Sequence, residues 1–314
     1  MTQTISGSDY TDNRLTIFNT NFYKLAQQKQ SRLMSSPCVI YAPSTQGFTH
    51  SMARMGKVEL ADVSGQRNPD KQYTDFATDN RIYNISRFTR TILIDKKVDI
   101  NELIADPTSD IYSNMVNAQN RISDRIIAAA AIGSVKVGTS DSYTLVTAVN
   151  DGVKTVNATA GLTSAKIDEI TQNWINADFD YEEFANSRLL LTGQENTALM
   201  GQTNFINNDY TNNRPVDKGV QTQVGLYGTI YYAGSVTGGT IITNPMLSEV
   251  STTRTCIAMM PRAVEVCSRV DKLEVKESAT KVNSMEVTID YWIWSYATWR
   301  CKSSKINNYF LGVK

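Results

Sequence analysis

The stretch from Asp106 to Gly133, DPTSDIYSNMVNAQNRISDRIIAAAAIG, constrains this chain most, because it reads as one long helix. Asp106 can accept hydrogen bonds from the free N–H groups of a first turn, and Pro107 suits the first helical position. Asp110 puts negative charge near the positive end of the helix dipole. No Gly or Pro follows until Gly133, a residue type that ends helices in the left-handed conformation. The expected helix, 107–132, would be roughly 39 Å long at about 1.5 Å per residue. That is more than twice the average globular helix of about 11–12 residues. Ile111, Met115, Ala118, Ile122, Ile126 and Ala129 step by three or four and share the expected buried face. Asn114, Asn117, Asn120, Arg121, Asp124 and Arg125 fill much of the rest. An amphipathic rod lying on something flat and an ordinary long core helix satisfy this pattern equally.

The 314 residues allow one large domain or two modest ones, and 41% apolar with 20% charged residues is a globular composition. Basic and acidic residues balance at 31 each, which argues against a dedicated nucleic-acid binder. The balance is uneven along the chain. Arg14, Lys24, Lys29, Arg32, Arg54 and Lys57 fall between Arg14 and Val58 with no acid among them. A one-signed segment of this kind suits an acidic partner or a polyanion, and a solvated, charge-biased surface accounts for it as well. Met1–Asn13 is polar and lacks the apolar core of a signal peptide. The longest apolar run, Ile126–Ile132, is far short of the roughly 20 residues that cross a membrane. Cys38, Cys256, Cys267 and Cys301 show no CxxC and no zinc spacing. They read as buried thiols of a protein made in a reducing cytoplasm, with bridges between subunits outside the cell as the alternative.

Residues 14–35 carry Leu15, Phe18, Phe22, Leu25 and Leu33 and read as an arm, part helix and part extended. Pro37 and Pro43 bracket a short strand, Cys38–Ala42. Phe48–Val63 and Asn80–Asp95 read as two strands joined through the turn-rich Ser64–Asp70, a two-stranded arm with a polar tip. An isolated ribbon is marginal in water, so this arm must pack on something else, such as a neighbouring subunit. Ser134–Val156 is β-like. Thr163–Phe179 reads as a second helix, capped by Thr163, with Ile167, Ile170, Trp174 and Ile175 inward. Leu189–Thr192 reads as a buried strand, Gln194–Gln202 as a third helix, 203–219 as an exposed Asn-rich loop and 220–243 as short strands with tight turns. In the C-terminal third, Thr255–Met260, Lys272–Glu277 and Met285–Arg300 read as strands, and Arg262–Val270 as a short helix after Pro261.

Chemistry is hard to find. His50 is the one histidine, so any Ser-His-Asp or Cys-His site must use it. Its surroundings match no nucleophile motif, and it reads as a surface or packing residue. Gly234–Gly239 lacks the Gly-Lys-Ser/Thr ending of a phosphate loop and reads as a hairpin turn. Asp178, Asp180, Glu182 and Glu183 do not follow calcium-loop spacing. Tyr291, Trp292, Trp294, Tyr296 and Trp299 read as core and edge packing. No residue is assigned to catalysis, to a cofactor or to a metal, which favours a structural role.

The order of parts is a basic N-terminal arm, a long β-arm, a very long helix opened by Asp-Pro, a mixed region with a polar loop, and long C-terminal strands. In this order, and in the texture of Asp106–Gly133, Ser187–Gln202 and Met285–Val313, the chain resembles the major capsid protein of tailed bacteriophages. The resemblance implies an α+β, Hong Kong 97-type capsid fold. In it 1–43 is the N-terminal arm and 44–94 the extended β-hairpin E-loop, laid over the adjacent subunit. Residues 95–159 form a peripheral domain with a spine helix at 107–132. Residues 160–260 form an axial α/β domain, and 261–314 are strands returning to the peripheral domain. It implies inter-subunit contacts from Arg67, Asp70 and Lys71 at the E-loop tip. Ile111, Met115, Ile122 and Ile126 would form the core face of the spine helix. Arg14, Lys24, Lys29 and Arg32 would form a basic arm toward the capsid interior.

The implied work is self-assembly, as hexamers and pentamers, into an icosahedral head enclosing a double-stranded DNA genome. The implied partners are a separate scaffolding protein, a portal, a decoration protein and packaged DNA touched non-specifically, with no membrane. Residues 1–43 are too few for the cleaved scaffolding segment of some relatives. The implied place is the virion, after synthesis in the host bacterial cytoplasm. An encapsulin-like bacterial compartment is the alternative owner of the same fold, and a cysteine-dependent hydrolase is the alternative outside it.

Overall fold

The computed structural model describes residues 27–42, 49–55, 58, 60–68, 70–71, 73, 78–95, 108–139, 141–147, 154–158, 162–176, 185–191, 197, 199, 201–202, 223–224, 227–231, 236–237, 240–241, 254–297 and 308–313. The strands in order are β1 (Val39–Tyr41), β2 (Thr49–Met55), β3 (Thr78–Asn84), β4 (Ser86–Asp95), β5 (Val135–Gly138), β6 (Tyr143–Val146), β7 (Lys154–Ala158), β8 (Arg188–Leu191), β9 (Gln223–Val224), β10 (Tyr227–Tyr231), β11 (Val236–Thr237), β12 (Thr240–Ile241), β13 (Arg254–Met259), β14 (Val264–Glu277), β15 (Ser284–Ala297) and β16 (Asn308–Val313). Helix α1 is Thr108–Ile132 and α2 is Ser164–Ile175. The chain divides into two units, one of 1–30, 87–122 and 269–292, the other of 31–86, 123–268 and 293–314.

In the first unit β15 runs between β14 and β4. Side chains reinforce the β4–β15 ladder. The Arg87 guanidinium donates to both carboxylate oxygens of Asp290 (2.8 and 2.5 Å), and the Thr89 hydroxyl donates to the Ile289 carbonyl (3.1 Å). The guanidinium groups of Arg87 and Arg269 lie 5.2 and 5.6 Å from the centroid of the Trp292 ring. The turn between β14 and β15 closes through Ser278 N–H to the Ser284 carbonyl (2.8 Å), with Asn283 in the left-handed region (φ 57°). The first part of α1 is amphipathic, with Met115 and Asn117 buried and Ala118 exposed. Its polar side is covered by residues 27–29. The Gln27 amide donates to Asn114 and accepts from Arg121 (both 2.6 Å), and the Asn120 amide donates to the Lys29 carbonyl (2.8 Å).

In the second unit the end of α1 is buried almost all round, from Ser123 to Ala131, with only Arg125 and Ala130 half-exposed among the described side chains. Asp124 lies fully buried and accepts from the Ser31 hydroxyl and from the backbone N–H groups of Arg32 (3.0 Å) and Leu33 (3.1 Å). Asp124 and Asn117, which the sequence places off the apolar face, are nonetheless buried, and Ala118, read as core, is exposed. The 3.6-residue period finds one apolar face and cannot see a second cover contributed by a segment about ninety positions away.

Gly133 also differs from expectation. It does not adopt the left-handed conformation; its N–H donates to the Ala130 carbonyl (3.3 Å), and a Cβ there would stand 2.9 Å from the Ala129 carbonyl oxygen. Close approach, not a positive φ, is what asks for glycine. Asp106 and Pro107 lie outside the described residues.

The largest sheet of this unit has the order β7-β16-β13-β8-β10-β9, so the last strand pairs between β7 and β13. Leu189, Leu190 and Leu191 are buried within it, as the apolar run requires. Helix α2 buries Ile167, Ile170 and Trp174, while Ile175 is exposed. The Thr163 side chain makes no cap hydrogen bond. Gln202 does that work instead, accepting from Ser164 N–H (2.9 Å) and donating to the Leu162 carbonyl (2.7 Å). Strands β11 and β12 pair antiparallel, Val236 opposite Ile241, while Gly234, Gly238 and Gly239 of the expected hairpin turn lie outside the described residues.

Arg262–Val270 is not a helix. Pro261 opens a tight turn in which Arg262 takes φ 57° and Ala263 N–H donates to the Met260 carbonyl (3.2 Å), and β14 starts at Val264. Its opening pairs in parallel with β1, Val39 opposite Val264. Strand pairing and β-branched residues outweigh the Pro start signal here.

Candidate functional site

The expected two-stranded arm is present in altered form. Strand β2 pairs antiparallel with β3, from Thr49↔Asn84 to Met55↔Thr78. The run Asn80–Asp95 is two strands, broken at Ile85, and β4 belongs to the ladder with β15. Nor is the ribbon isolated. Strand β3 pairs on its far side with β5, and β5 with β6, giving the order β2-β3-β5-β6. Three consecutive residues of β3, Arg81, Ile82 and Tyr83, are buried, so both faces of the strand are covered at its base.

On one face Tyr83 stacks on Tyr296 (centroids 3.4 Å, interplanar 8°) within a cluster of Val135, Cys267, Trp294 and Ala297, with Met52 and Val137 against it. The buried Arg81 donates to the Ala297 carbonyl (2.7 Å), and its guanidinium lies 4.0 Å from the Asp79 carboxylate. Burial, with Glu265 as hydrogen-bond partner, holds the Tyr296 phenol protonated far above its usual range. His50 on β2 is directed at Glu265 (3.8 Å) and Trp294 (centroids 5.9 Å). The other face carries an open groove of about 350 Å³ lined by Thr49, Ser51, Asn80, Ile82, Gly138 and Thr139.

Between Met55 and Thr78 the described residues carry no strand, and all but the half-buried Val63 are exposed. Leu60 is 99% exposed, Tyr73 90% and Val58 51%. The tip turn is organised by Asp62, which accepts from both the N–H (2.9 Å) and the hydroxyl (2.6 Å) of Ser64; these bonds hold its carboxyl below the usual range. Asn68 takes φ 67°, as turn chemistry allows for Asn.

Arg67, Asp70 and Lys71 are exposed at this tip. Met115 and Ile126 are buried on α1, and Ile111 and Ile122 are half-buried. Lys29 and Arg32 are exposed; Arg14 and Lys24 lie outside the described residues, as do Asp178, Asp180, Glu182 and Glu183 and the loop 203–219. Cys38, Cys256 and Cys267 are buried free thiols, and burial pushes the Cys38 thiol up to about 11; Cys301 lies outside the described residues. Sequence reading placed Tyr296 in core and edge packing but did not connect it to Arg81, Tyr83 and Glu265. The only signal for that connection was the alternation of large residues in β3 and β15.

A family model described as phage capsid protein matches residues 11–301. A search of curated protein sequences finds no match. Among solved structures, the acid-stable capsid of Helicobacter pylori bacteriophage KHP30 is similar at TM-score 0.68 with 10% identity, over 100% of this chain and 98% of that one. The capsid of cyanophage Pam1 is similar at TM-score 0.64 with 13% identity, over 94% and 95%. The head of Helicobacter pylori bacteriophage KHP40 is similar at TM-score 0.63 with 11% identity, over 94% and 93%.

Proposed function

Since the chain belongs to the phage capsid protein family and is a major capsid protein that forms the phage head, we propose that it does so in the Hong Kong 97 manner. Many copies close an icosahedral shell around double-stranded DNA. Residues 44–94 act as an E-loop whose tip lies on the adjacent subunit. The segment 107–132 braces a peripheral domain of 95–159, residues 160–260 form the axial domain, and 261–314 return toward the periphery.

The observation that carries this reading is the contrast within the arm. Its base is locked into its own chain by Tyr83, Arg81 and Tyr296, while Leu60 and Tyr73 at its tip are almost wholly exposed. Large apolar side chains left in solvent at two positions of one loop ask for a partner. A tip seated on a different surface of its neighbour is a heterologous contact, which closes into a ring when the rotation between copies permits. Arg67, Asp70 and Lys71 supply ion pairs around the apolar contact, and Lys29 and Arg32 face scaffolding protein or DNA within the shell. A separate scaffolding protein, a portal and a decoration protein complete the head, built in the host bacterial cytoplasm. Negative-stain microscopy of the purified chain, expressed with and without its genomic neighbours, tests the reading. Closed shells or capsomer rings support it, and a monodisperse small particle under all conditions overturns it.

A further inference from the structure

The sheet β2-β3-β5-β6 has a second face, opposite the Tyr83 cluster, and the register says which residues stand on it. Ser51 lies opposite Ile82, Ile82 opposite Lys136 and Lys136 opposite Leu145, so these side chains share one cross-strand row. In the next row Gly138 lies opposite Tyr143. That row has a gap at Gly138, and the backbone keeps it open. Gly138 takes φ 140°, and a Cβ there would run into the Ser142 carbonyl oxygen, which excludes a side chain. The gap opens into the groove of about 350 Å³. Its floor is the buried, apolar Ile82, and the hydroxyls of Thr49, Ser51 and Thr139 and the Asn80 amide supply polar walls. On the same face Tyr143 and Leu145 are 49% and 58% exposed, with the Lys136 ammonium 4.4 Å from the centroid of the Tyr143 ring.

We infer that this groove is the seat for the arm tip of a second copy, with Tyr73 of that copy in the recess and its Leu60 over Tyr143 and Leu145. The inference rests on the shell reading above and adds the surface that receives the tip. Chemistry selects the occupant. A phenol suits a recess with an apolar floor and polar walls, since its ring lies on Ile82 while its hydroxyl bonds to a wall. Leucine has no polar end and suits the apolar pair beside the recess. The charges also match in sign. Asp62 and Asp70 of the tip meet Lys136, and Arg67 and Lys71 meet Asp141 in the β5–β6 turn. The tip does not fill the groove of its own chain, because Leu60 and Tyr73 stand almost wholly in solvent. Each copy thus gives a tip and offers a groove, and the contact runs head to tail.

Photo-cross-linking of the assembled full chain tests the seat. A chain with Tyr73 replaced by benzoylphenylalanine is co-assembled with unchanged chain carrying heavy nitrogen, then illuminated and digested. Heavy peptides from 49–55, 78–84 or 135–146 are expected to be joined to residue 73. Capture of light peptides only, or of heavy peptides outside those ranges, overturns the seat, and the shell reading stands if closed shells or rings are present. Absence of any shell or ring from the unchanged chain overturns that reading and the seat with it. Should the substituted chain fail to co-assemble, Ser51→Trp carries the test, because it fills the recess from an exposed position. The concentration needed for assembly is then expected to rise about tenfold or more, with the subunit's unfolding midpoint unchanged. Assembly of Ser51→Trp at the unchanged threshold overturns the seat.

Discussion

Replacing Leu60 and Tyr73 together by Ser separates folding from assembly. Neither side chain is buried, at 99% and 90% exposed, so the isolated subunit loses almost nothing. We expect its unfolding midpoint to stay within about 2 °C, as for surface substitutions worth under ~0.5 kcal/mol. In the shell each copy gives one tip and receives one, so one such contact is lost per subunit. Burying a leucine side chain is worth about 1.5–3 kcal/mol, and the tyrosine ring contributes on the same order. Taking about 4 kcal/mol for the pair, at about 1.4 kcal/mol per tenfold, the protein concentration needed for assembly rises roughly thousandfold. Light scattering against subunit concentration, with thermal unfolding of the same samples, measures both quantities. Shells forming at the unchanged threshold would refute the tip contact. A large fall in the subunit's own unfolding midpoint would show that the tip packs on its own chain instead.

Three further outcomes follow from the packing. Asp124→Ala leaves the Ser31 hydroxyl and the N–H groups of Arg32 and Leu33 without their buried acceptor; we expect a loss of about 3–5 kcal/mol in urea unfolding and faster tryptic cleavage after Lys29 and Arg32, and unchanged cleavage would contradict the anchor. The Arg87 hydrogen bonds, the larger cause, hold the Asp290 carboxyl below its usual range, so their stabilisation is fully present above about pH 4 and is lost as pH falls through the lowered value. Water screens this pair, since Arg87 stays over half exposed, and the deficit of Arg87→Met is expected to be small, constant from about pH 5 to 8 and vanishing in acid; a deficit that grows in acid would contradict the pairing. Cys38, Cys256 and Cys267 are buried, with the Cys38 thiol at about 11, so peptide mapping after maleimide treatment near neutral pH should find them labelled only in denaturant; native labelling would contradict their burial.

The long helix was legible because a sustained 3.6-residue period survives any tertiary context. Its buried polar side was not, because the cover comes from Gln27–Leu33, whose hydrogen bonds to Asn114, Asn120, Arg121 and Asp124 span 87–94 positions. The arm's strands were legible in their β-branched and aromatic content. The break at Ile85 was hidden, since the residues on either side of it are equally strand-like and only their different partners separate β3 from β4. Arg262–Val270 was misread because a proline that opens a helix and one that opens a turn look alike until Val264 finds Val39. The exposure of Arg67, Asp70 and Lys71 was legible from turn composition alone. The anchor was not, because Met52, Arg81 and Glu265 come to Tyr296 and Ala297 from separate strands, with Met52 lying 244 positions from Tyr296.

The most direct test is a side-chain-resolution electron cryomicroscopy map of the assembled head. The account predicts that Tyr83 remains stacked on Tyr296 of its own chain while Leu60 and Tyr73 are buried against another copy. A map in which those two side chains still face solvent, or fold onto their own subunit, would contradict it.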